Sequence, residues 1–536
     1  MNAPRRGGRA RRTPASRTPA WTPTRTLGSR GGWALACALL LAPAGVAPQS
    51  AATSEGGAPW FGLEVPDGLA LPPQLAVLDG GFAAPPAATP AGEEGDVELE
   101  GARVRGWLRE IVAFSHESRA RGELMWGRVS GFPAAEATAE WLAERFREAG
   151  LQDVAVQRYD ADAALWWPDH WEVRLLGGDV FGPGSRDVVL HSAVPTRGAT
   201  IPGRVLTAPL VYVDDPAATG NLDVRGKVAV QRRKPTGGAY SQRTPIREGA
   251  EELFRRGAVA VLNHIDQPGN MGVRDFSACS PCFNIGGEDG AFLRAAYGRA
   301  ARAGADGELR VRLYLDARER EGLSAQNVLG VVPGDSEEVV IVNAHLDGWY
   351  EAAGDNGDGL AVLVALARHF AKPENRPART LVFVGSGGHH STGLNGPGHF
   401  VEANPELAGR AVLVLNLEHV AQYFIDPETF ELGATEQPMG WGVTNMAPFL
   451  LELTDRAVER YGFRLRPEYS TSVAGDLGGY APLGVPRVQA IHAGPLYHTT
   501  GDVERSISTE GLERAARFYA YWIEGVTKAS TSEIDP

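Results

Sequence analysis

Apolar residues recur at helical spacing in two stretches that begin near residue 100. A first predicted helix starts at Glu98 and has one apolar face formed by Val104, Trp107, Leu108, Ile111 and Val112. A second predicted helix follows Pro133, ends at Gly150 and buries Trp141, Leu142 and Phe146. The two stretches predict a helical opening to a folded domain.

After Asn327, apolar runs of strand length alternate with helical patterns. The predicted strands are Val339–Ala344, Leu381–Val384, Val412–Leu417 and Pro486–Ile491. Helical faces occur in Gly359–Phe370 and around Leu512–Ile523. Such alternation predicts an α/β fold whose mainly parallel mixed sheet is flanked by helices.

Between residues 165 and 323 the pattern changes to short β-rich segments. They include 187–191, 226–231 and 257–262, and the stretch has one predicted helix, Glu248–Arg256. The change predicts an inserted β-rich domain at 165–323, so that 98–164 and 324–530 together form the main domain.

The N-terminus has the composition of an export signal. The first fifty residues carry eight arginines and no acidic residue, and Trp33–Ala47 is an apolar run. This run is shorter than a bilayer requires and contains Pro43, so we predict a signal over 1–52 with no stable membrane span after cleavage. An N-terminal membrane anchor is the alternative. Residues 53–97, rich in Pro, Ala and Gly, are predicted to be a linker.

Net charge limits the classes of binding partner, and the cysteine content limits the kinds of cysteine site. The formal net charge is -13, and it becomes -21 when the eight arginines leave with the signal. Such an acidic body repels phosphate backbones, so nucleic acid is not an expected partner. Cys279 and Cys282 form a lone CSPC, for which a disulfide is favoured over a zinc knuckle or a redox site.

Metal-ligand residue types follow the predicted strands. His345 and Asp347 come directly after one strand, with Asp355 in the next loop; the other strands are followed by His389-His390, Glu418-His419 and Tyr497-His498. Because ligands of such sheets bind beyond the carboxyl ends of the strands, these side chains are expected to converge. Two divalent cations need a bridging carboxylate and further N or O ligands, and Asp355 is the predicted bridge.

Six stretches carry a family resemblance: residues 127–131 (GRVSG), 344–349 (AHLDGW), 354–359 (GDNGDG), 416–418 (NLE), 474–477 (AGDL) and 497–502 (YHTTGD). They resemble the di-zinc exopeptidases that include secreted aminopeptidases, carboxypeptidase Q and, more distantly, glutaminyl cyclase. The inserted segment resembles a protease-associated domain. The resemblance implies one or two zinc ions, with another divalent metal as the alternative, and a peptide or aminoacyl substrate.

Carried over by position, the resemblance assigns roles to seven residues. His345 and Glu418 would hold one metal and His390 and His498 the other, with Asp355 between them. Asp347 would orient His345, and Tyr497 would donate a hydrogen bond to the developing oxyanion.

The chain departs from the family at its catalytic pair. Family enzymes carry Glu-Glu where this chain has His389-His390, the first glutamate being the general base and the second a ligand. His390 is a chemically mild replacement, and Glu418 lengthens the usual Asp ligand. His389 is the candidate base, since imidazole titrates near neutrality. Glu351 and Asp358 are alternative acids, and a one-residue shift of the loop Gly385–Gly396 would exchange the two histidines.

Three functions are compatible with the sequence. The leading hypothesis is a metal-dependent exopeptidase acting outside the cytoplasm. The absent Glu-Glu pair favours an inactive binding protein of the same fold, and a single-zinc enzyme of the glutaminyl cyclase type is the third possibility. Amino- versus carboxypeptidase specificity and the oligomeric state are left open. Specificity is expected to come from loops and from the inserted domain, whose stretch Tyr240–Arg247 offers arginines.

Overall fold

A computed structural model describes most of the chain beyond residue 94. The described residues are 77–78, 89–90, 93, 95–178, 181, 184–214, 222–234, 243–274, 279–305, 307, 309–426 and 429–536. The predicted export signal, most of the predicted linker and Tyr240 lie outside these residues.

The helices are numbered in chain order. They are α1 (Gly101–Ala120), α2 (Pro133–Ala149), α3 (Arg243–Arg255), α4 (Gly287–Arg302), α5 (Asp358–Phe370), α6 (Gly396–Ala403), α7 (Pro405–Ala408), α8 (Pro448–Tyr461), α9 (Thr509–Lys528) and α10 (Thr531–Ile534). The two predicted opening helices are α1 and α2. Gly150 ends α2 in the left-handed region at φ 85, a conformation that glycine adopts without steric cost.

The strands are numbered in the same way. They are β1 (Val77–Leu78), β2 (Gly127–Arg128), β3 (Gln152–Asp160), β4 (Leu165–Leu175), β5 (Val188–Val189), β6 (Val194–Pro195), β7 (Val205–Val213), β8 (Val228–Arg233), β9 (Ala260–Ile265), β10 (Cys282–Ile285), β11 (Arg310–Arg320), β12 (Ser324–Val332), β13 (Ser336–His345), β14 (Gly348–Trp349), β15 (Arg379–Ser386), β16 (Ala411–Asn416), β17 (Tyr423–Ile425), β18 (Leu432–Glu436), β19 (Met439–Val443), β20 (Leu465–Ser470) and β21 (Arg487–Ile491).

The main sheet is mixed, as predicted. Its strand order is β20-β19-β21-β16-β13-β15-β12-β3. The central strands β15, β13, β16 and β21 run parallel, whereas β12 and β3 pair antiparallel at one edge. Since the central strands share one direction, their carboxyl ends lie at the same edge of the sheet.

Both faces of this sheet are covered. Val340 and Val342 of β13 belong to a core that also contains residues of α1, α2, α5 and α9. Val339 and Ile341, which alternate with them, pack in a second core with Phe400 of α6. Successive strand residues point to opposite faces, so the unbroken apolar run of β13 is the pattern of a strand buried on both sides.

Residues between 165 and 320 form a second mixed sheet with its own core. Its strand order is β5-β4-β11-β7-β8-β9-β10-β6, and β7, β8, β9 and β10 are parallel neighbours. The core includes Val173, Leu210, Leu262 and Leu313. Its assignment as a protease-associated domain stays a prediction.

The expectation of a single helix in this segment is wrong. Beside α3, residues Gly287–Arg302 form α4, which buries Leu293, Ala296 and Ala300. The sequence masked this helix because its buried face consists largely of glycine and alanine, which give a weak periodic signal.

Two further observations concern the cysteines and the length of the helices. A disulfide joins Cys279 to Cys282, as favoured from the CSPC sequence. Within the described part of the chain, no helix combines the length and the apolar character needed to cross a bilayer.

Candidate metal centre

The predicted ligands lie at one edge of the main sheet. His345 is the last residue of β13, and the loops after β15, β16 and β21 carry the other histidines and Glu418. These strands are parallel neighbours, so their C-terminal loops meet above the same edge.

Asp355 is surrounded by four imidazoles. Its Oδ1 atom lies 3.3 Å from Nε2 of His345 and 3.1 Å from Nε2 of His419. Its Oδ2 atom lies 3.1 Å from Nε2 of His390 and 3.2 Å from Nε2 of His498. Each carboxylate oxygen therefore faces a different pair of histidines, which is the arrangement of a bridging carboxylate.

Four overlapping groups of ligand atoms have the spacing of a metal site, with their atoms within 4.8 Å of one another. They are His345-His389-Glu418, Asp355-His390-His498, Asp355-Glu418-His419 and His345-Asp347-His390. The first two groups share no residue, and Asp355 of the second group contacts His345 of the first. The donor set is therefore compatible with two cation positions, one on either side of Asp355.

Asp347 links the two sides of the cluster. Its main-chain carbonyl accepts a hydrogen bond from Nδ1 of His345 at 3.0 Å, and its side-chain Oδ2 accepts one from the backbone N–H of His390 at 3.0 Å. With Nδ1 acting as donor, Nε2 of a neutral His345 has its lone pair facing Asp355, where a cation would take the place of a proton. The carboxylate itself lies 3.5 Å from Nδ1 of His345, so the main-chain oxygen is the closer partner.

His389 is held by a second carboxylate. Its Nδ1 atom lies 2.7 Å from Oδ1 of Asp476, and its ring stacks on that of His345 with centroids 4.0 Å apart. The other oxygen of Asp476 accepts hydrogen bonds from Ser386 at 2.6 Å and Asn343 at 2.9 Å. The side of the ring that carries Nε2 faces Glu418, whose Oε1 is 4.0 Å away.

Gly475 makes room for this histidine. Its φ of 60 is in the left-handed region, and a Cβ at this position would lie 2.9 Å from Cε1 of His389. A larger residue would therefore clash with the imidazole as well as strain the backbone.

Tyr497 packs against the histidines. Its ring stacks on His498 with centroids 3.7 Å apart and meets His419 edge-on at 5.4 Å. It also lines the cleft above the cluster.

The buried carboxylate and the imidazoles of the cluster shift one another's pKa values. Burial opposes ionisation of Asp355, but His390, His345 and His419 hold the pKa of its carboxyl well below the usual range. Burial likewise opposes protonation of the imidazoles, yet Asp355 and its neighbours raise the pKa of His390 and of His419 to about 9. A bound cation would replace the protons that these histidines otherwise carry.

Asp502 fixes the loop that carries Asp355. Its carboxylate accepts hydrogen bonds from the backbone N–H groups of Gly354 at 2.8 Å and Asp355 at 3.0 Å. Burial and the charge of Asp355 raise the pKa of Asp502 to about 7. The bridging carboxylate is thus positioned by its main chain as well as by its histidine neighbours.

The two alternative acids have other partners. Glu351 accepts a hydrogen bond from the backbone of Glu504 at 2.6 Å and lies 3.4 Å from His116. Asp358 accepts hydrogen bonds from the backbone of Ala421 and Gly359 at the start of α5. Neither residue belongs to a potential ligand group or lines the cleft above the cluster.

Sequence reasoning gave no role to His419, Asp476 or Asp502. A strand alternation would point His419 away from its neighbour Glu418, but a φ of 56 at His419 breaks the alternation, and both residues face Asp355. The sequence offered one signal: His419 directly follows Glu418 at a strand end. The partner of His389 depended on a contact across 87 residues, which spacing alone does not reveal.

Comparison with known families identifies the main domain. The sequence model of peptidase family M28 matches residues 327–523, which include all the predicted ligands. This segment is an M28 peptidase domain. No curated protein matches the sequence.

Solved structures share the fold of the M28 domain and its surroundings. One is BSAP, a zinc aminopeptidase from Bacillus subtilis, with a TM-score of 0.56 and 21% identity over 81% of this chain and 98% of that chain. Another is a peptidase M28 precursor from Shewanella amazonensis SB2B, with a TM-score of 0.59 and 18% identity over 81% of this chain and 99% of that chain. At these identities the likeness establishes the fold.

The donor set of the M28 domain fits a divalent cation. Nε2 of His345 is buried and makes no hydrogen bond, although it lies 3.3 Å from Asp355. Imidazole nitrogens and carboxylate oxygens are the ligands that zinc prefers when cysteine is absent. A buried polar atom without a partner is costly, and a cation at this position would satisfy it.

Proposed function

We propose that the protein is a metal-dependent exopeptidase that uses zinc, with one or two ions held at the candidate centre. The observation that carries the proposal is the carboxylate of Asp355, which has four imidazole nitrogens within 3.3 Å at the strand ends of an M28 domain. The similarity to a solved zinc aminopeptidase fold supports the same metal.

In this proposal the ligands divide into two groups on either side of Asp355. His345 and Glu418 would hold one ion and His390 and His498 the other, and Asp355 would lie between them. Asp347 orients His345 through its main-chain carbonyl. His419 is an additional candidate ligand, because its Nε2 lies 3.1 Å from Asp355 and 3.8 Å from Glu418.

When bound, zinc would supply Lewis-acid chemistry that favours attack of water on the scissile carbonyl. His389 is the proposed general base: with its Nδ1–H donated to Asp476, its Nε2 is free to take the proton from that water. The same nitrogen then returns the proton to the leaving amine. Tyr497 donates a hydrogen bond to the developing oxyanion from its place beside His498.

Asp476 is the proposed positioning residue for His389. A carboxylate on one ring nitrogen fixes the tautomer and the orientation of an imidazole, so the other nitrogen is presented in one state. The imidazole–carboxylate pair thereby replaces the glutamate base of the family. His389 also belongs to a potential ligand group with His345 and Glu418. Metal content distinguishes the two roles of this residue, because replacing a base leaves the metal content unchanged whereas replacing a ligand lowers it.

The substrate in this proposal is a peptide or aminoacyl compound, and the segment 165–323 is a protease-associated domain that contributes to the cleft. We also infer export directed by residues 1–52. The acidic net charge disfavours nucleic acid as a partner.

The competing candidate is a binding protein that keeps the fold without turnover. It is favoured by one observation: positions 389 and 390 carry histidine, so the centre has fewer carboxylates to neutralise two dications. A single-zinc enzyme would be favoured by a metal content near one per chain.

Release of amino acids from a panel of aminoacyl and dipeptide substrates tests the proposal. The zinc-loaded full-length protein is expected to hydrolyse part of the panel, to lose the activity with a chelator and to regain it when zinc is returned. His389→Ala is the matched variant that should abolish turnover. A folded, zinc-loaded protein that releases no amino acid from any substrate would favour the binding protein instead.

A further inference from the structure

Three arginines line the cleft that contains the candidate metal centre. The cleft has a volume of about 630 Å³, and Arg197, Arg243 and Arg466 lie on its wall together with the histidine cluster. All three side chains are exposed to solvent. They come from distant parts of the chain, two from the inserted domain and one from β20 of the main sheet.

Two of the arginines contact the loops that carry the candidate ligands. Arg197 donates a hydrogen bond to the hydroxyl of Thr392, two residues beyond His390. Arg466 lies 3.0 Å from Nδ1 of His492, and because a guanidinium can only donate, this ring nitrogen is the acceptor and the ring is neutral. Both guanidinium groups are thus tethered beside the centre by one neutral partner each.

No carboxylate neutralises these arginines within the described part of the chain. None of the three forms an ion pair there, and Glu418 is the one acidic residue on the described wall of the cleft. Arginines elsewhere are commonly paired, for example Arg232 with Asp266 at 2.6 Å. In a protein with a net charge of -13, three uncompensated guanidinium groups around one cleft create a local positive field.

We infer that the cleft selects substrates that carry a carboxylate beyond the bond to be cleaved. The proposal rests on the proposed peptidase function and names its substrate class: peptides whose acidic side chain or free C-terminus is bound by Arg197, Arg243 and Arg466. A guanidinium group binds carboxylate through two parallel N–H donors, which gives both orientation and affinity. The inserted domain acquires a role in specificity, since it supplies two of the three arginines.

Four dipeptides distinguish recognition of an acidic side chain from recognition of the C-terminal carboxylate. They are Leu-Asp, Leu-Asn and the C-terminal amides of both, and kcat/KM is measured for each with the zinc-loaded full-length protein. If the side chain is recognised, Leu-Asp and its amide are preferred over the asparagine peptides by about tenfold or more. If the C-terminus is recognised, both free acids are preferred over both amides by a similar factor.

The variants Arg197→Gln, Arg243→Gln and Arg466→Gln test the residues themselves. Each is expected to raise KM for the preferred anionic peptide severalfold while the turnover of Leu-Asn-amide stays unchanged. The control Arg158→Gln removes an exposed arginine outside the cleft and should leave all four values unchanged. Equal kcat/KM for the four peptides, or a preference that survives in all three variants, would overturn the inference and leave the peptidase proposal standing.

A binding measurement distinguishes failure of the inference from failure of the proposed function. Calorimetry on zinc-loaded His389→Ala compares the affinity for Leu-Asp with that for Leu-Asn-amide. Tighter binding of the anionic peptide, lost in the arginine variants, supports the inference even in the absence of turnover. Equal binding of the two peptides contradicts it.

Discussion

Nδ1 of His389 lies 2.7 Å from Oδ1 of Asp476, and this contact gives the candidate centre an imidazole–carboxylate pair. Asp476 also accepts hydrogen bonds from Ser386 and Asn343, and the ring of His389 stacks on that of His345 in the ligand cluster. Burial opposes ionisation of Asp476, but His389, His345 and Ser386 hold its pKa at about 2. Asp476 is therefore an anion at neutral pH and accepts the N–H of His389.

Replacing the proposed base should stop turnover without emptying the metal centre. His389→Ala is expected to lower kcat by a factor of about 10² to 10⁴, the usual contribution of a positioned base. Steady-state kinetics on a dipeptide that the wild type hydrolyses, together with zinc content measured on the same sample, provides the test. A loss of zinc that parallels the loss of rate would make His389 a ligand and contradict its role as base.

The family residue offers a gain-of-function control. His389→Glu restores a carboxylate at the position where family members carry their base, and it should recover part of the activity that His389→Ala loses. Activity no better than that of the alanine variant would indicate that this position does not carry the base.

Asp476 should act on the rate through His389. In Asp476→Asn the amide has nearly the same shape, but its oxygen accepts the N–H of His389 more weakly and its NH₂ group can favour the other tautomer. We expect kcat to fall by about 10² or more with KM little changed, because substrate binding does not involve this residue. Ser386→Ala, which removes another partner of Asp476, is the structural control and should leave most of kcat intact. An equal effect of both variants on kcat would reduce Asp476 to a packing residue.

Arg128 should be among the residues most important for stability. Its guanidinium is fully buried and donates hydrogen bonds to Ser115 and to the main-chain oxygens of Leu346, Glu351 and Ala352. Burial lowers its pKa to about 10, which leaves it charged at neutral pH. Arg128→Met would remove these buried, charge-assisted hydrogen bonds together, so the free energy of unfolding should fall by about 3–5 kcal/mol.

Urea denaturation of Arg128→Met beside Arg109→Met measures this effect. Arg109 is 65% exposed and pairs with Glu504 at the surface, so its replacement should cost less than about 1 kcal/mol. Similar losses in the two variants would contradict a structural role for the buried guanidinium.

The second mixed sheet and its core should lose stability in mild acid through His264. This imidazole is buried on β9, with its Nδ1 beside the hydroxyl of Tyr212. Burial lowers the pKa of His264 to about 4 against the opposing charge of Asp266. The unfolded chain has an ordinary imidazole, so between about pH 6.5 and pH 4 it binds a proton that the folded chain does not.

It follows that the free energy of unfolding is highest above about pH 6.5 and falls by up to about 3 kcal/mol as the pH drops to about 4. His264→Gln lacks the titrating group, so its unfolding free energy should change less over this window. Urea titrations of wild type and variant at several pH values measure the difference. Parallel pH profiles would show that His264 does not contribute.

The sequence predicted the main domain well because its signals are local. The unbroken apolar run of β13 and the apolar faces of α1 and α9 depend on neighbours a few residues apart. His345 and Glu418 could be picked out as candidate ligands for the same reason, since His345 ends β13 and Glu418 closely follows β16. Helix α4 was missed because glycine and alanine leave little hydrophobic contrast along its length.

The finer arrangement of the site could not be predicted, because it depends on side chains brought together by the fold. The partner of His389 and the hydrogen bonds that hold Asp355 through Asp502 cross 87 and 147 residues. Glu418 and His419 both face Asp355 because the backbone of His419 is in the left-handed conformation. This conformation is uncommon for a residue other than glycine. The spacing of residues along the sequence reveals neither long-range contacts nor an unusual backbone conformation.

Zinc content per chain, measured by elemental analysis of wild type beside Asp355→Ala, tests the metal centre most directly. The wild-type protein, purified without chelator and supplied with zinc, should hold one or two ions per chain, and Asp355→Ala should hold at least one fewer. A folded wild-type protein that retains no stoichiometric zinc, manganese or cobalt would contradict the account.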